Sequence, residues 1–141
     1  MVQKNEIGAL ILRVTLGILF FIHGLVKFQG GIENTVGWFE SINIPGFMAY
    51  GVALFEVIGG IALIIGFATR LVSVLSALLM VGAIIMAKIP VGILGNGQMA
   101  GYELDLAFLA IAVYLAINGS KLLSLHQLLF NENSNEVKRA A

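Results

Sequence analysis

The 141-residue chain contains no cysteine, which excludes disulfides, thiolate catalysis, iron–sulfur ligation and a CxxC redox pair. Any electrons that move must travel on a bound cofactor or on the substrate. Charge is scarce too: eight basic and eight acidic residues cancel to zero, and no basic run exceeds the pair Lys138 and Arg139. A nucleic-acid partner is thereby excluded. There is no useful internal repeat and no Rossmann fingerprint, so neither a flavin nor a nicotinamide motif is present.

Apolar residues are what the chain has in quantity, at 59% hydrophobic against 11% charged and a mean hydropathy of +0.97. Folding in water is not expected of such a composition. Four long apolar segments run from Ile7 to Phe28, Gly46 to Phe67, Leu71 to Lys88 and Tyr102 to Asn118. At about 1.5 Å per residue each approaches the ~30 Å hydrocarbon thickness, where only helices satisfy their own backbone groups. The expected fold is all-α: a four-transmembrane-helix bundle forming one domain over residues 1–130, followed by a polar, disordered tail over 131–141. A cleaved signal peptide is the alternative for the first segment, but there is no A-x-A-like site and three more spans follow. Lys4, Arg70, Lys121, Lys138 and Arg139 fall on one side of the spans, whereas the opposite loops carry Glu33 and Glu40. Both termini are therefore expected in the cytoplasm, with the chain in the cell membrane.

In the first outer loop a Gly-Gly break precedes Ile32, Val36 and Phe39 at helical spacing beside Trp38, and Pro45 closes the segment. A short helix lying in the outer interface is expected there. The second outer loop, IPVGILGNGQMAG, matches a phosphate loop only as a string and reads as a flexible or re-entrant cover. GSKLLSLHQLLF, after Asn118, has the pattern of an interfacial amphipathic helix.

The first span carries Arg13, Gly17, Phe20, Gly24 and Lys27 on one narrow helical face. Lipid-facing charge costs about 2.5–3.5 kcal/mol at a helix centre, so this face is expected inward, with His23 at its edge. Counting from the helix centres puts Arg13 within side-chain reach of Glu56 in the second span, and a structural Arg13–Glu56 ion pair is expected. In the fourth span Glu103, Ala107, Ala110 and Tyr114 form a stripe, with Asp105 about 200° from Glu103. Asp105 is read as a first-turn residue favoured by the helix dipole. Ser73, Ser76, Met80, Ala83 and Ala87 in the third span read as a packing seam. The outer half of the bundle is thus expected to enclose Lys27, His23 and Glu103, with Lys88 and Tyr102 at the rim. The plain alternatives are ionic glue for Arg13 and Glu56, snorkelling for Lys27 and a neutral packing role for His23.

The combination R-x3-G-x2-F-x3-G-x2-K, E-x2-GG-x2-L-x2-G-x-x-T-R from Glu56 to Arg70, and GYELDLAFLAIA from Gly101 resembles the DoxX family of small bacterial four-helix membrane proteins. The resemblance spans about residues 7–125, and Asp105 departs from it where relatives carry proline after the Glu-Leu pair. It implies quinone or hydroquinone redox chemistry, as in members tied to catechol and methylhydroquinone resistance that work beside ring-cleaving dioxygenases. Under that implication Lys27 would stabilise a quinol oxyanion while His23 or Glu103 exchanges protons. Phe20, Phe21, Gly24 and Tyr102 would receive the ring. A quinone is the one cofactor-like molecule implied, no metal is expected, and His23 and His126 lie too far apart along the spans to share one haem iron. Expected partners are the bilayer, a small aromatic ligand, a reductase or dioxygenase and a second copy of the chain. A carrier of aromatic electrophiles and a scaffold for membrane enzymes are the rival functions.

Overall fold

The computed structural model describes residues 3–130, and the chain is helical wherever it is regular, with no strand among those residues. The tail expected to be disordered, 131–141, lies outside the described residues. Helix α1 is Lys4–Gln29, α2 Ile32–Ser41, α3 Phe47–Ile65, α4 Thr69–Ala83 and α5 Glu103–Asn118. Three stretches are long and apolar enough to cross a membrane: Lys4–Gln29, Phe47–Ile65 and Thr69–Val91. α5 is apolar too, but its 16 residues reach only about 24 Å.

The contact between α1 and α3 sets the register of everything else. On α1 the buried face is Ala9, Arg13, Leu16, Gly17, Phe20 and Gly24, and on α3 it is Ala49, Ala53, Glu56, Gly59, Gly60 and Leu63. Small residues face one another, so the backbones nearly touch. A Cβ on Gly17 would sit 2.8 Å from the carbonyl oxygen of Gly60, and one on Gly24 would sit 2.8 Å from the amide nitrogen of Val57. α3 ends at Gly66, whose φ of 74° lets the Phe67 amide turn back to the Ala62 carbonyl at 2.8 Å.

α4 continues past Ala83 through a π-helical turn, Ile84–Lys88, into a 3-10 turn at Ile89–Val91 that contains Pro90. Gly92–Tyr102 then forms a closed loop in which Tyr102 and Glu103 donate to the carbonyls of Gly92 and Ile93, at 3.3 and 3.1 Å. Asn96 Oδ1 accepts from the amides of Gln98 and Met99 inside it. Such internal bonding gives the segment, expected as a flexible or re-entrant cover, the form of a hydrogen-bonded turn. α5 packs along α4 and buries Asp105, Phe108, Ala112 and Leu115. The expected helix in the first outer loop is α2, with Ile32 and Phe39 buried; it packs with Ile44 against Ala49 at the start of α3. Residues 125–130 are helical, in the segment read as amphipathic.

Candidate functional site

Because Gly17 opposes Gly60 and Ile64, and Gly24 opposes Ala53 and Val57, residue 23 stands level with Glu56, and Arg13 stands level with Gly66. Glu56 therefore lies about 15 Å along α1 from Arg13, beyond an arginine side chain. Glu56 instead meets Lys27, one turn beyond Gly24, with Nζ 2.5 Å from Oε2. The expected Arg13–Glu56 ion pair is corrected accordingly. Arg13 is 1% exposed and spends its guanidinium on backbone: Nη1 donates to the Ser120 carbonyl at 3.2 Å and to Ser120 Oγ at 3.3 Å, and Nη2 to the Leu123 carbonyl at 2.9 Å. It ties α1 to the turn after α5. The turn is held further by Glu6, whose Oε2 accepts from the Lys121 amide, and by Ser124 Oγ, which donates to the Gly66 carbonyl at 2.7 Å.

A second ion pair joins α4 to α5, with Lys88 Nζ 2.6 Å from Asp105 Oδ2. An ideal α-helix would carry Lys88 about 80° past Met80, off the seam. The π turn holds an extra residue and winds Lys88 back toward α5. Asp105 is 8% exposed because it lies one turn before Phe108, at the head of the buried face Phe108, Ala112 and Leu115. Glu103, two residues earlier, is exposed, as are Ala107 and Ala110. The inward face of α5 is thus the opposite of the one read from the sequence: Asp105 replaces Glu103, and Asp105, in the first turn as expected, is also buried and paired with Lys88.

Both ion pairs line one cavity of about 450 Å³. Its polar wall is Lys27, Glu56, Lys88, Asp105 and His23; Phe20 and Phe108 form an aromatic floor. The Phe20 and Phe108 rings meet edge to face at 5.5 Å, and His23 stacks edge-on against Phe108 at 5.9 Å. α2 and the segment after it close one side with Trp38, Phe39 and Ile42. Four apolar residues in its lining, Met48, Leu78, Met86 and Leu104, are exposed. No group of three His, Asp or Glu residues placed to bind a metal occurs among the described residues.

Of the residues expected at a ligand, the structure brings Lys27, His23 and Phe20 to this cavity, with Glu56 joining them. Glu103, Phe21 and Tyr102 are not in its wall. Phe21 lies with its backbone against Gly60. Gly24 is spent on helix contact, since Val57 and Ala53 fill the space beside it and leave no room for a ring. Lys88, expected at the rim, is in the wall; Asp105 is the residue misplaced, and the Lys88–Asp105 pair is what was missed. A lysine at the end of one span and an acid at the start of the next gave a signal for a pair, but α-helical spacing hid it.

The DoxX family model matches residues 8–89, a stretch that includes Lys27, Glu56 and Lys88. The chain is 46% identical over 133 residues to "Putative oxidoreductase CatD" of Bacillus subtilis (strain 168), covering 94% of this chain and 95% of that protein. It is 35% identical over 77 residues to "Inner membrane protein YqjF" of Escherichia coli (strain K12), covering 55% and 58% of the two chains. It is 30% identical over 118 residues to "Uncharacterized membrane protein Rv3486" of Mycobacterium tuberculosis, covering 77% and 72%. No solved structure matches the chain significantly.

Proposed function

The chain belongs to the DoxX family of membrane proteins, and from that premise we propose that it is a quinone-linked oxidoreductase whose ligand cavity lies between its spans. In this reading α5 is a fourth, short span, so α1, α3, α4 and α5 form a four-helix bundle with both termini in the cytoplasm and α2 in the outer interface. The observation that carries the proposal is one aromatic-lined cavity with an ion pair on each of two walls. A soluble domain has little reason to set two part-buried lysines against two buried carboxylates around one cavity, and intramembrane ionisable groups are functional by default. The relative named an oxidoreductase, alike over nearly the whole of both chains, supports a redox reading.

The exposed apolar rim gives a quinone a route from the acyl chains, and about 450 Å³ admits a single substituted ring. Its ring would rest on Phe20 and Phe108, with its oxygens toward Lys27 and Lys88. Reduction to the quinol takes two electrons and two protons. The lysine ammonium groups stabilise the charge that develops on oxygen, while Glu56, Asp105 and His23 are the groups placed to exchange protons. Electrons come from a separate reductase, or pass to an acceptor when a hydroquinone is oxidised. Ring-shaped electrophiles such as oxidised catechols fit the same description, which connects the site to quinone stress.

The test is reconstitution of the purified chain in liposomes with a short-chain menaquinone analogue and a membrane-impermeant reductant or a candidate reductase. Quinone reduction that disappears in Lys27→Ala and Asp105→Asn and persists in Glu103→Gln supports the assignment. Ligand flux across sealed vesicles without any redox change would replace the enzyme by a carrier, and the absence of both binding and flux would leave a scaffold.

A further inference from the structure

At the other end of the helices, where Arg13 anchors the turn after α5, a second cleft of about 720 Å³ opens between the start of α4 and residues 118–127. Its character is cationic. Arg70, Lys121 and His126 line it, and among the described residues no carboxylate does. Glu6, the acid that touches this region, is committed to the backbone amides of Lys121 and Leu122 at 3.0 and 3.4 Å. Arg70 rests its Nη2 on the Asn118 carbonyl at a loose 3.4 Å, which steadies the guanidinium and leaves its other donors free of any bond among the described residues.

The first turn of α4 forms the back of the same cleft, with Thr69, Arg70 and Leu71 in its wall. Ala68 precedes that turn in the left-handed region at φ 47° and provides no side-chain cap. The leading amides of a helix have no partner within the helix and carry its positive dipole end. Thr69, in the same wall, adds an independent observation: it is 7% exposed, and its Oγ1 has no hydrogen-bond partner among the described residues. A buried hydroxyl without a partner is costly.

We propose that this cleft binds a phosphate group, the phosphodiester of an anionic phospholipid, between Arg70, Lys121 and the first turn of α4. A helix start combined with two cations matches the charge and the tetrahedral acceptors of a phosphate. The cleft sits at the end of the apolar spans, the depth at which headgroups lie. Free phosphate shares the chemistry, and the experiment separates the two sources. The site is independent of the cavity between the spans.

The full chain is placed in nanodiscs containing phosphatidylcholine with a minor fraction of phosphatidylglycerol, and the lipid retained by the released protein is measured by native mass spectrometry. The wild type retains phosphatidylglycerol preferentially, and each of Arg70→Gln and Lys121→Gln lowers that preference about fivefold. Arg70 and Lys121 are exposed, so both variants keep their melting temperature in pure phosphatidylcholine. Arg70→Lys with Lys121→Arg preserves the retention. Inorganic phosphate that raises the melting point of lipid-free micellar protein and displaces phosphatidylglycerol would keep the site and assign it to free phosphate. Equal loss in Lys4→Gln, an exposed cation outside the cleft, would reduce the effect to diffuse surface charge and overturn the proposal. Wild-type protein with no preference for phosphatidylglycerol and no response to phosphate overturns it as well.

Discussion

The partner of Glu56 can be decided by a double-mutant cycle, because the two candidate cations lie on the same face of α1 and only the register separates them. Lys27→Met leaves Glu56 with its side chain 8% exposed and its counter-ion gone. Stripping one partner from a buried pair costs about 3–5 kcal/mol. A carboxylate can escape by taking a proton, which at neutral pH costs about 3.7 kcal/mol from the ordinary glutamate value, so the cost cannot exceed that bound. The lysine side chain is 23% exposed, and solvent at its end lowers the expected loss to about 2–3 kcal/mol. Glu56→Gln should cost less, since Lys27 can swing its ammonium toward the headgroups.

The double variant Lys27→Met/Glu56→Gln then recovers most of the Lys27→Met loss, giving a coupling energy of about 1.5–2.5 kcal/mol. Arg13→Met destabilises by itself, yet its cycle with Glu56→Gln should be additive within about 0.5 kcal/mol, as expected of sites that share no partner. The assay is reversible unfolding in mixed micelles titrated with SDS, read by helix signal. An Arg13–Glu56 coupling above the additive limit, together with additive Lys27 and Glu56, would refute the register and with it the cavity.

Four further outcomes follow from the same packing. Asp105→Asn should destabilise by about 1–3 kcal/mol through Lys88, whereas Glu103→Gln should stay within about 0.5 kcal/mol in the same unfolding assay. Gly60→Val places a side chain where a Cβ alone would be 2.6 Å from the Phe21 amide nitrogen, and should cost at least about 1–3 kcal/mol by overpacking. Gly24→Ala behaves the same way, lowering stability without a specific loss of ring affinity in a quinone titration. Arg13→Lys keeps the charge but loses the planar fork that spans the Ser120 and Leu123 carbonyls; it should raise hydrogen exchange in 119–124 while leaving α2 unchanged.

Hydropathy was enough to find the apolar helices, and the Gly-Gly break with its aromatic spacing was enough to find α2. The inward face of α1 could also be read, since Arg13, Gly17, Phe20 and Gly24 are all buried. The face of α5 could not. Its residues are apolar nearly all round, so no moment distinguishes one side from another, and a stripe of small residues through Glu103 looked as good as the stripe through Asp105. The large residues decided it: Phe108 fills the space beside Phe20, and whatever lies one turn earlier must point inward with it. The π turn was equally hidden, because sequence spacing assumes 3.6 residues per turn throughout.

The misassigned ion pair has a more general cause. Matching spans by their centres treats the bilayer as the ruler, but a helix pair held at backbone contact takes its register from wherever its glycines can interlock. Gly17 with Gly60 and Gly24 with Ala53 offset α1 from α3 by about 7 Å relative to centre matching. That offset separates Arg13 from Glu56 and brings Glu56 opposite the turn that ends in Lys27. The glycines therefore determine which charges can meet. A shift of one helical turn at that contact would break the Lys27–Glu56 pair and pull Arg13 from the turn after α5, so the α1–α3 packing constrains the cavity at one end of the helices and the cleft at the other together.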